Sequence, residues 1–313
     1  MMRMNDYNYM TTRIAEVYFI LGSLLVAASL ASVIGYALKL RRPADPAIQN
    51  LNARIRSWWI LILVSGGALL AGPAAVNLLF CGVSFLALRE FFSPLRKADR
   101  PVFYACVFLA LPVQYMLAYE GRLEALAIWI PVFCLPLLAV MEALFDRVSA
   151  ALLGLLVCVY GISYIPALMA LHIPGYERRT PLLMVFLVLI AQVSDILQYV
   201  WGKLAGRHAL APAISPSKTV EGLVGGVAGA SLLGALLWRL TPFTSWQSAL
   251  MAFLIAMLGF AGGLVMSAIK RDRGIKDWGR LIEGHGGILD RIDSLCFSAP
   301  VFFHLARYFF GHS

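Results

Sequence analysis

Apolar runs recur along the whole chain at about 16–38, 57–71, 74–88, 102–118, 125–141, 148–169, 181–200, 222–240, 247–268 and 296–310. Many approach the roughly 20 residues that an α-helix needs to cross a bilayer. A buried helix of a large soluble enzyme would carry a polar face, and these runs lack one. The pattern predicts an all-α, polytopic integral membrane protein with about 9–10 transmembrane helices. The second and third runs are short and joined only by Gly72-Pro73, so they read either as a tight hairpin or as one broken, re-entrant element. Pro101, Pro181 and Pro242 stand near span ends, where a missing N–H costs little. Pro112, Pro131 and Pro136 lie inside or near spans and predict kinks or shifted boundaries. The chain divides on this reading into N-terminal helices, 1–192, and a C-terminal region, 193–313, with polar loops at 201–221 and 269–294.

Composition sharpens the picture. Mean hydropathy is +0.78, and charged residues make up 14% of the 313 positions, against roughly 25% in ordinary globular domains. In a soluble protein the formal charge of +9 would point to nucleic acid. Here basic loops beside anionic lipid account for it, and no nucleic-acid partner is expected. Cys81, Cys106, Cys134, Cys158 and Cys296 are scattered in or against apolar runs without a CxxC pair, so they read as small buried hydrophobes. The run Glu16–Leu38 is longer than a signal-peptide core and is followed by Lys39-Leu40-Arg41-Arg42, a stop-transfer pattern with no cleavable signal expected. With ten spans, loops 39–56, 89–101, 142–147, 201–221 and 269–294 share one side and hold 19 of the 26 Lys and Arg residues. That bias places them in the cytoplasm, at a bacterial inner membrane.

Two of those loops carry the candidate chemistry. Asp195 lies near the end of the seventh run, where a carboxylate needs a partner or a cation and is a functional candidate, with a buried helix–helix hydrogen bond as the alternative. Ser215-Pro216-Ser217-Lys218-Thr219-Val220-Glu221-Gly222 reads as the start of a helix. Its hydroxyls, free N–H groups and Lys218 suit phosphate oxygens, while ordinary capping, with Glu221 as a first-turn acid, explains the same residues. The spacing is not that of a P-loop. In 267–293, Lys270, Arg271 and Lys276 suit a triphosphate or a lipid phosphate, or simply anchor the loop. Asp290 and Asp293, three apart, project from one helix face as hard oxygen ligands for Mg²⁺; otherwise they close the loop on Arg291 and Arg271. His285-Gly286-Gly287 gives a pliable backbone and a side chain able to donate or accept a proton. These residues together describe metal-assisted phosphate chemistry on a membrane-embedded substrate.

The run Ser267-x-Ile269-Lys270-Arg271-x4-Lys276-Asp277-x-Gly279, followed by Gly284-His285-Gly286-Gly287-Ile288-x-Asp290-Arg291-Ile292-Asp293, resembles the signature of the phosphatidate cytidylyltransferases, or CDP-diacylglycerol synthases. Asp195 and the Ser215–Gly222 block resemble the same family's second block, and Arg89-Glu90-Phe91-Phe92 echoes a further feature. The resemblance implies an integral membrane enzyme that transfers CMP from CTP to phosphatidic acid, with Mg²⁺ or another divalent cation, often as a homodimer. It implies Asp195, Asp290 and Asp293 as metal and nucleotide-site acids, with Ser215, Lys218, Thr219, Lys270, Arg271 and Lys276 around the phosphates. Of the other matched positions, Pro216, Glu221, Ser267, Asp277, His285, Gly286, Gly287 and Arg291 become candidate substrate-binding residues. In many bacterial members Gly263 and Met266 are replaced by acids, which this chain lacks. That departure leaves open a cytidylyltransferase or CTP-dependent kinase acting on another lipid. A transport or anionic-lipid-binding protein without catalysis is the reading from a different class.

Overall fold

The computed structural model describes residues 4–93, 101–137, 140, 148–176, 179–279, 281 and 286–311. Helices run at α1 (Met4–Arg41), α2 (Pro46–Ala71), α3 (Pro73–Phe92), α4 (Pro101–Tyr119) and α5 (Leu123–Ile128). They continue with α6 (Val148–Leu155), α7 (Ile162–Ala167), α8 (Thr180–Ala205), α9 (Val220–Leu236), α10 (Ser245–Asp272) and α11 (Leu289–Phe310). Among the described residues, six helices are long and apolar enough to cross a membrane, and three shorter apolar helices accompany them. The protein is an all-α polytopic membrane protein, and among the described residues each of the ten apolar runs lies largely on helix. The second and third runs are separate helices divided by Gly72, whose φ of 104° is a left-handed turn that a side chain would strain. The loop expected at 142–147 lies outside the described residues.

Pro112 sits inside α4 without ending it. Pro131 falls in a π-helical turn, Trp129–Cys134, where the ladder is already widened and the missing N–H is absorbed. A second π-turn, Leu156–Gly161, joins α6 to α7.

Two compact units emerge, Met1–Val76 with 280–286, and Asn77–Gly279 with Gly287–Ser313. In the first, α1 and α2 touch where Asn52 Nδ2 donates to the Gly35 carbonyl at 3.1 Å and Trp59 Nε1 to Ser32 Oγ at 2.9 Å. In the second, α8 to α11 pack closely because the sequence supplies small residues at helical spacing. Gly222, Gly226, Ala230 and Gly234 form a buried stripe on α9. A Cβ on Gly226 would lie 2.2 Å from Gln198 Cγ of α8, and one on Gly234 would lie 2.3 Å from Ala252 of α10. Between apolar helices in lipid, such close approach supplies the van der Waals contact that drives association. The outward side chains Val224, Leu232 and Leu236 are exposed, as a lipid-facing surface requires.

Candidate active site

In the second unit, α8, the segment before α9, α10 and the start of α11 surround a cavity of about 230 Å³. Asp195 and Tyr199, one turn apart on α8, line it, as does Gln198, whose amide donates to Ser194 Oγ at 2.8 Å. Asp195 stands exposed on the cavity wall, with Asp293, Lys218 and Arg291 as its charged neighbours.

The segment between α8 and α9 is a small antiparallel hairpin, β1 (Ala209–Ala211) with β2 (Ser215–Thr219), which the sequence did not announce. Its ends are tied by capping chemistry. Thr219 Oγ1 accepts from Gly222 N at 3.1 Å and caps α9. The Glu221 carboxylate accepts the N–H groups of Arg207 and His208 at 3.0 and 3.2 Å and pairs with the His208 ring. The two strong hydrogen-bonding residues of this block therefore hold the hairpin on the helix. Ser217 and Lys218 are the residues that the hairpin brings to the cavity ahead of that cap, while Ser215 and Pro216, at the start of β2, are not among its lining.

Among the described residues lining the cavity, the cation is Lys218. Its ammonium donates to the Phe260 carbonyl at 3.4 Å and lies 4.5 Å from the centre of the Phe260 ring. Burial pushes the ammonium below the ordinary lysine value, and Asp293 and Asp195 work against that shift. Gly263 makes the arrangement possible, since a Cβ there would lie 2.8 Å from Lys218 Nζ and 3.8 Å from Asp293 Oδ2. The position singled out for its missing acid is thus the one over which the lysine ammonium rests.

The signature residues divide into two groups. Asp293 faces the cavity beside Asp195. Asp290 also borders the cavity, but its oxygens are engaged. Oδ1 pairs with Lys270 at 2.8 Å, with side chains 5% and 13% exposed, and Oδ2 accepts the N–H groups of Trp278 and Gly287 at 2.9 and 3.0 Å. The structure therefore places Lys270 and Asp290 in a buried pair that staples both ends of the signature loop. Arg271 is exposed and donates to the Ile214 and Ile275 carbonyls at 3.2 and 3.4 Å, joining the hairpin to the loop. Ser267 Oγ donates to the Gly263 carbonyl at 2.6 Å, within its own helix. Lys276 and Asp277 are exposed on the loop. The Arg291 carbonyl accepts from Gln192 Nε2 at 3.3 Å. Gly286 has a φ of 83°, and His285 lies outside the described residues.

Sequence reasoning gave no site role to Glu90. From the last turn of α3, its two oxygens accept Ile288 N at 3.1 Å and Leu289 N at 2.9 Å, capping α11 just ahead of Asp290 and Asp293. A Cβ on Gly287 would lie 2.3 Å from Glu90 Oε2, so glycine there admits the cap. The next residue anchors the loop as well. Arg273 donates to the Phe91 carbonyl at 2.7 Å and stacks over the Phe91 ring at 4.0 Å, while Phe91 stacks on Trp278 at 5.1 Å. An acid at the polar end of an otherwise apolar helix was the available signal.

A family model described as the cytidylyltransferase family matches residues 52–309, which includes every residue of this cavity. The chain belongs to the cytidylyltransferase family. Its enzyme class is accordingly that of a membrane nucleotidyltransferase. It is 36% identical over 297 residues to the uncharacterized protein YnbB of Escherichia coli strain K12, covering 92% of this chain and 97% of that one. It is 36% identical over 165 residues to the phosphatidate cytidylyltransferase of Staphylococcus saprophyticus, covering 51% of this chain and 58% of that enzyme. With the phosphatidate cytidylyltransferase of Synechocystis it shares 48% over 113 residues, 36% of this chain and 38% of the other. The alignments with the two named enzymes thus span less than two thirds of their length.

A cytidylyltransferase binds a triphosphate, and the donor set can be tested against the divalent cation that such a ligand carries. Among the described residues no three His, Cys, Asp or Glu side chains form a cage. Mg²⁺ does not need one, because it commonly takes one or two carboxylates and completes its shell with phosphate oxygens and water. Asp195 and Asp293, two repelling acids on one cavity wall, fit that role. Asp290, with both oxygens occupied, fits it less well.

Proposed function

We propose that the protein transfers CMP from CTP to phosphatidic acid, giving CDP-diacylglycerol and pyrophosphate, at a site facing the cytoplasm. The observation that carries this reading is the meeting of Asp195, Lys218 and Asp293, from three separate elements, at one cavity of a membrane cytidylyltransferase. A phosphatidate oxygen attacks the α-phosphorus of CTP, the new P–O bond forms in line, and the α–β phosphoanhydride bond breaks to release pyrophosphate. The attacking phosphate is already ionised near neutral pH, so no side chain has to remove a proton. Lys218 supplies a fixed, partly desolvated positive charge for the phosphoryl oxygens, which is where most catalysis of such transfers lies. Asp195 and Asp293 would hold Mg²⁺, which supplies charge neutralisation on the α-phosphate and pyrophosphate oxygens. Lys270, Asp290 and Glu90 keep the start of α11, and with it Asp293, in place.

Purified protein in mixed micelles, given radiolabelled CTP, Mg²⁺ and a panel of lipid phosphates, tests the reading. CDP-diacylglycerol from phosphatidic acid is expected, and no labelled lipid from any acceptor would overturn it. A second reading keeps the chemistry and changes the acceptor. Near-complete coverage of the E. coli relative, against 58% and 38% of the two named enzymes, favours it, and the same panel decides by which lipid carries the label.

The lowered Lys218 value has a consequence for pH. The ammonium is needed charged and loses its proton at a lower pH than a free lysine, so activity should fall along an alkaline limb below the usual lysine range. Lys218→Arg stays charged throughout, and its limb should move upward even if its turnover is lower. Superimposable limbs in the two kcat/KM profiles would remove Lys218 from that role.

Orientation is checked separately. Cysteines introduced singly at Ala211 and Ile275, in a background without native cysteines, should resist an impermeant thiol reagent in intact cells and react once the membrane is opened. Labelling of either from outside would reverse the cytoplasmic assignment.

A further inference from the structure

The catalytic cavity changes character one turn along α8 from its acid. Asp195, Gln198 and Tyr199 line it from one face of that helix, and Tyr199 stands about 6 Å further along the axis than Asp195. Asp195, Lys218 and Asp293 supply charge to the lining, whereas Gln198, Tyr199 and Leu223 give it an amide, an aromatic ring and an aliphatic residue. An amide beside an aromatic face suits a planar heterocycle better than a phosphate.

Both groups are held. The Gln198 amide nitrogen donates to Ser194 Oγ at 2.8 Å, and Ser194 is buried. A Cβ on Gly226 would lie 2.2 Å from Gln198 Cγ, so α9 rests directly against this side chain. With Nε2 bonded to Ser194, Oε1 is the acceptor end of the amide. Tyr199 is exposed, and the Lys203 ammonium on the next turn lies 5.9 Å from the centre of its ring. Among the described lining residues the other aromatic is Phe260, whose ring already lies under the Lys218 ammonium.

We propose that Gln198 and Tyr199 form the nucleobase subsite, in which the cytosine ring stacks on Tyr199 and its exocyclic amino group donates to Gln198 Oε1. This inference rests on the reading of CTP as the donor of CMP. One helical turn separates the base from Asp195, and the ribose spans it, so the triphosphate falls beside Asp195, Lys218 and Asp293. Cytosine carries an amino donor at the ring position where uracil carries an oxygen acceptor. Uracil in the same pose would set that oxygen against Oε1, two acceptors facing each other, which costs affinity.

The test measures binding of labelled CTP and UTP to the full-length protein in detergent, with Mg²⁺ and no lipid acceptor, by equilibrium dialysis, so the result does not depend on turnover. The wild type should prefer CTP. Gln198→Met, unbranched like glutamine where Gly226 lies so close, should narrow that preference by about five- to tenfold, the scale of one hydrogen bond. Gln198→Glu, which accepts but does not donate, should bind both nucleotides less well and keep the preference. Tyr199→Ala should weaken both by about tenfold or more, the loss of one base–aromatic stack, and Tyr199→Phe should restore them. A preference unchanged in Gln198→Met or lost in Gln198→Glu, or Tyr199→Ala binding like the wild type, would overturn the subsite, while CTP binding by the wild type would leave the donor reading standing. A wild type that binds no CTP would overturn that reading and the subsite with it. If Gln198→Met fails to fold, the Tyr199 variants, at an exposed position, decide.

Discussion

Asp293→Asn is expected to lower CMP transfer by on the order of 100-fold, the scale of removing one electrostatic contact to developing charge, while the protein remains folded. The carboxylate faces the cavity beside Asp195 and Lys218, and its own Oδ1 accepts only the adjacent Ser294 N–H, at 2.8 Å, among the described contacts. Asparagine keeps the size and that acceptor, and relieves the repulsion with Asp195, so the melting temperature should stay close to wild type. Mg²⁺ should raise the melting temperature of the wild type in the presence of CTP and have a much smaller effect on the variant. Steady-state turnover and detergent-solubilised melting, each with and without Mg²⁺, make the check. Near-wild-type turnover together with an unchanged Mg²⁺ response would remove Asp293 from the catalytic centre.

Asp290→Asn should behave in the opposite way and lose stability first. The Lys270–Asp290 pair is almost wholly enclosed, at 13% and 5% side-chain exposure. Removing one partner strands a charge out of water, which costs about 3–5 kcal/mol. The same carboxylate also fixes the N–H groups of Trp278 and Gly287, so the loop should loosen with it. Lys270→Met alone should be similarly damaging, whereas Lys270→Met with Asp290→Asn should recover part of the loss because no lone charge remains. Melting temperatures of the four proteins give the coupling. An Asp290→Asn protein as stable as wild type, with activity gone, would make Asp290 a ligand of substrate or metal and not a staple.

The helices were legible because long apolar runs allow little else in a bilayer, where every backbone N–H must find a partner nearby. The alternatives left open at Gly72-Pro73 resolve to two helices, since a left-handed glycine followed by a proline both stops one helix and starts the next. The hairpin at 209–219 was not legible. Its five-residue strand reads SPSKT, which has no apolar alternation, and it is held by the Glu221 latch and not by a strand pattern. In the site, residue types and clustering pointed to the two loops that meet at one cavity, but not to which of their residues bond to one another. Asp290 and Asp293 share spacing and chemistry, and the Lys270 ammonium and the Trp278 and Gly287 N–H groups that Asp290 meets separate them. Glu90 was legible only as an acid at the end of an apolar helix, because its partners are backbone N–H groups 198 and 199 positions further on.

That reach has a practical meaning for anyone who would dissect the chain. A fragment starting near residue 193 would contain Asp195, Lys218 and the whole signature, and would look sufficient on paper. It would lack both the carboxylate that closes the Ile288 and Leu289 N–H groups and the Phe91 ring and carbonyl that hold Arg273. Split between α7 and α8, the two pieces should be silent when expressed singly and regain function only when co-expressed, with α3 supplied in trans. The smallest autonomous catalyst in this sequence is therefore larger than the stretch that carries its recognisable motif.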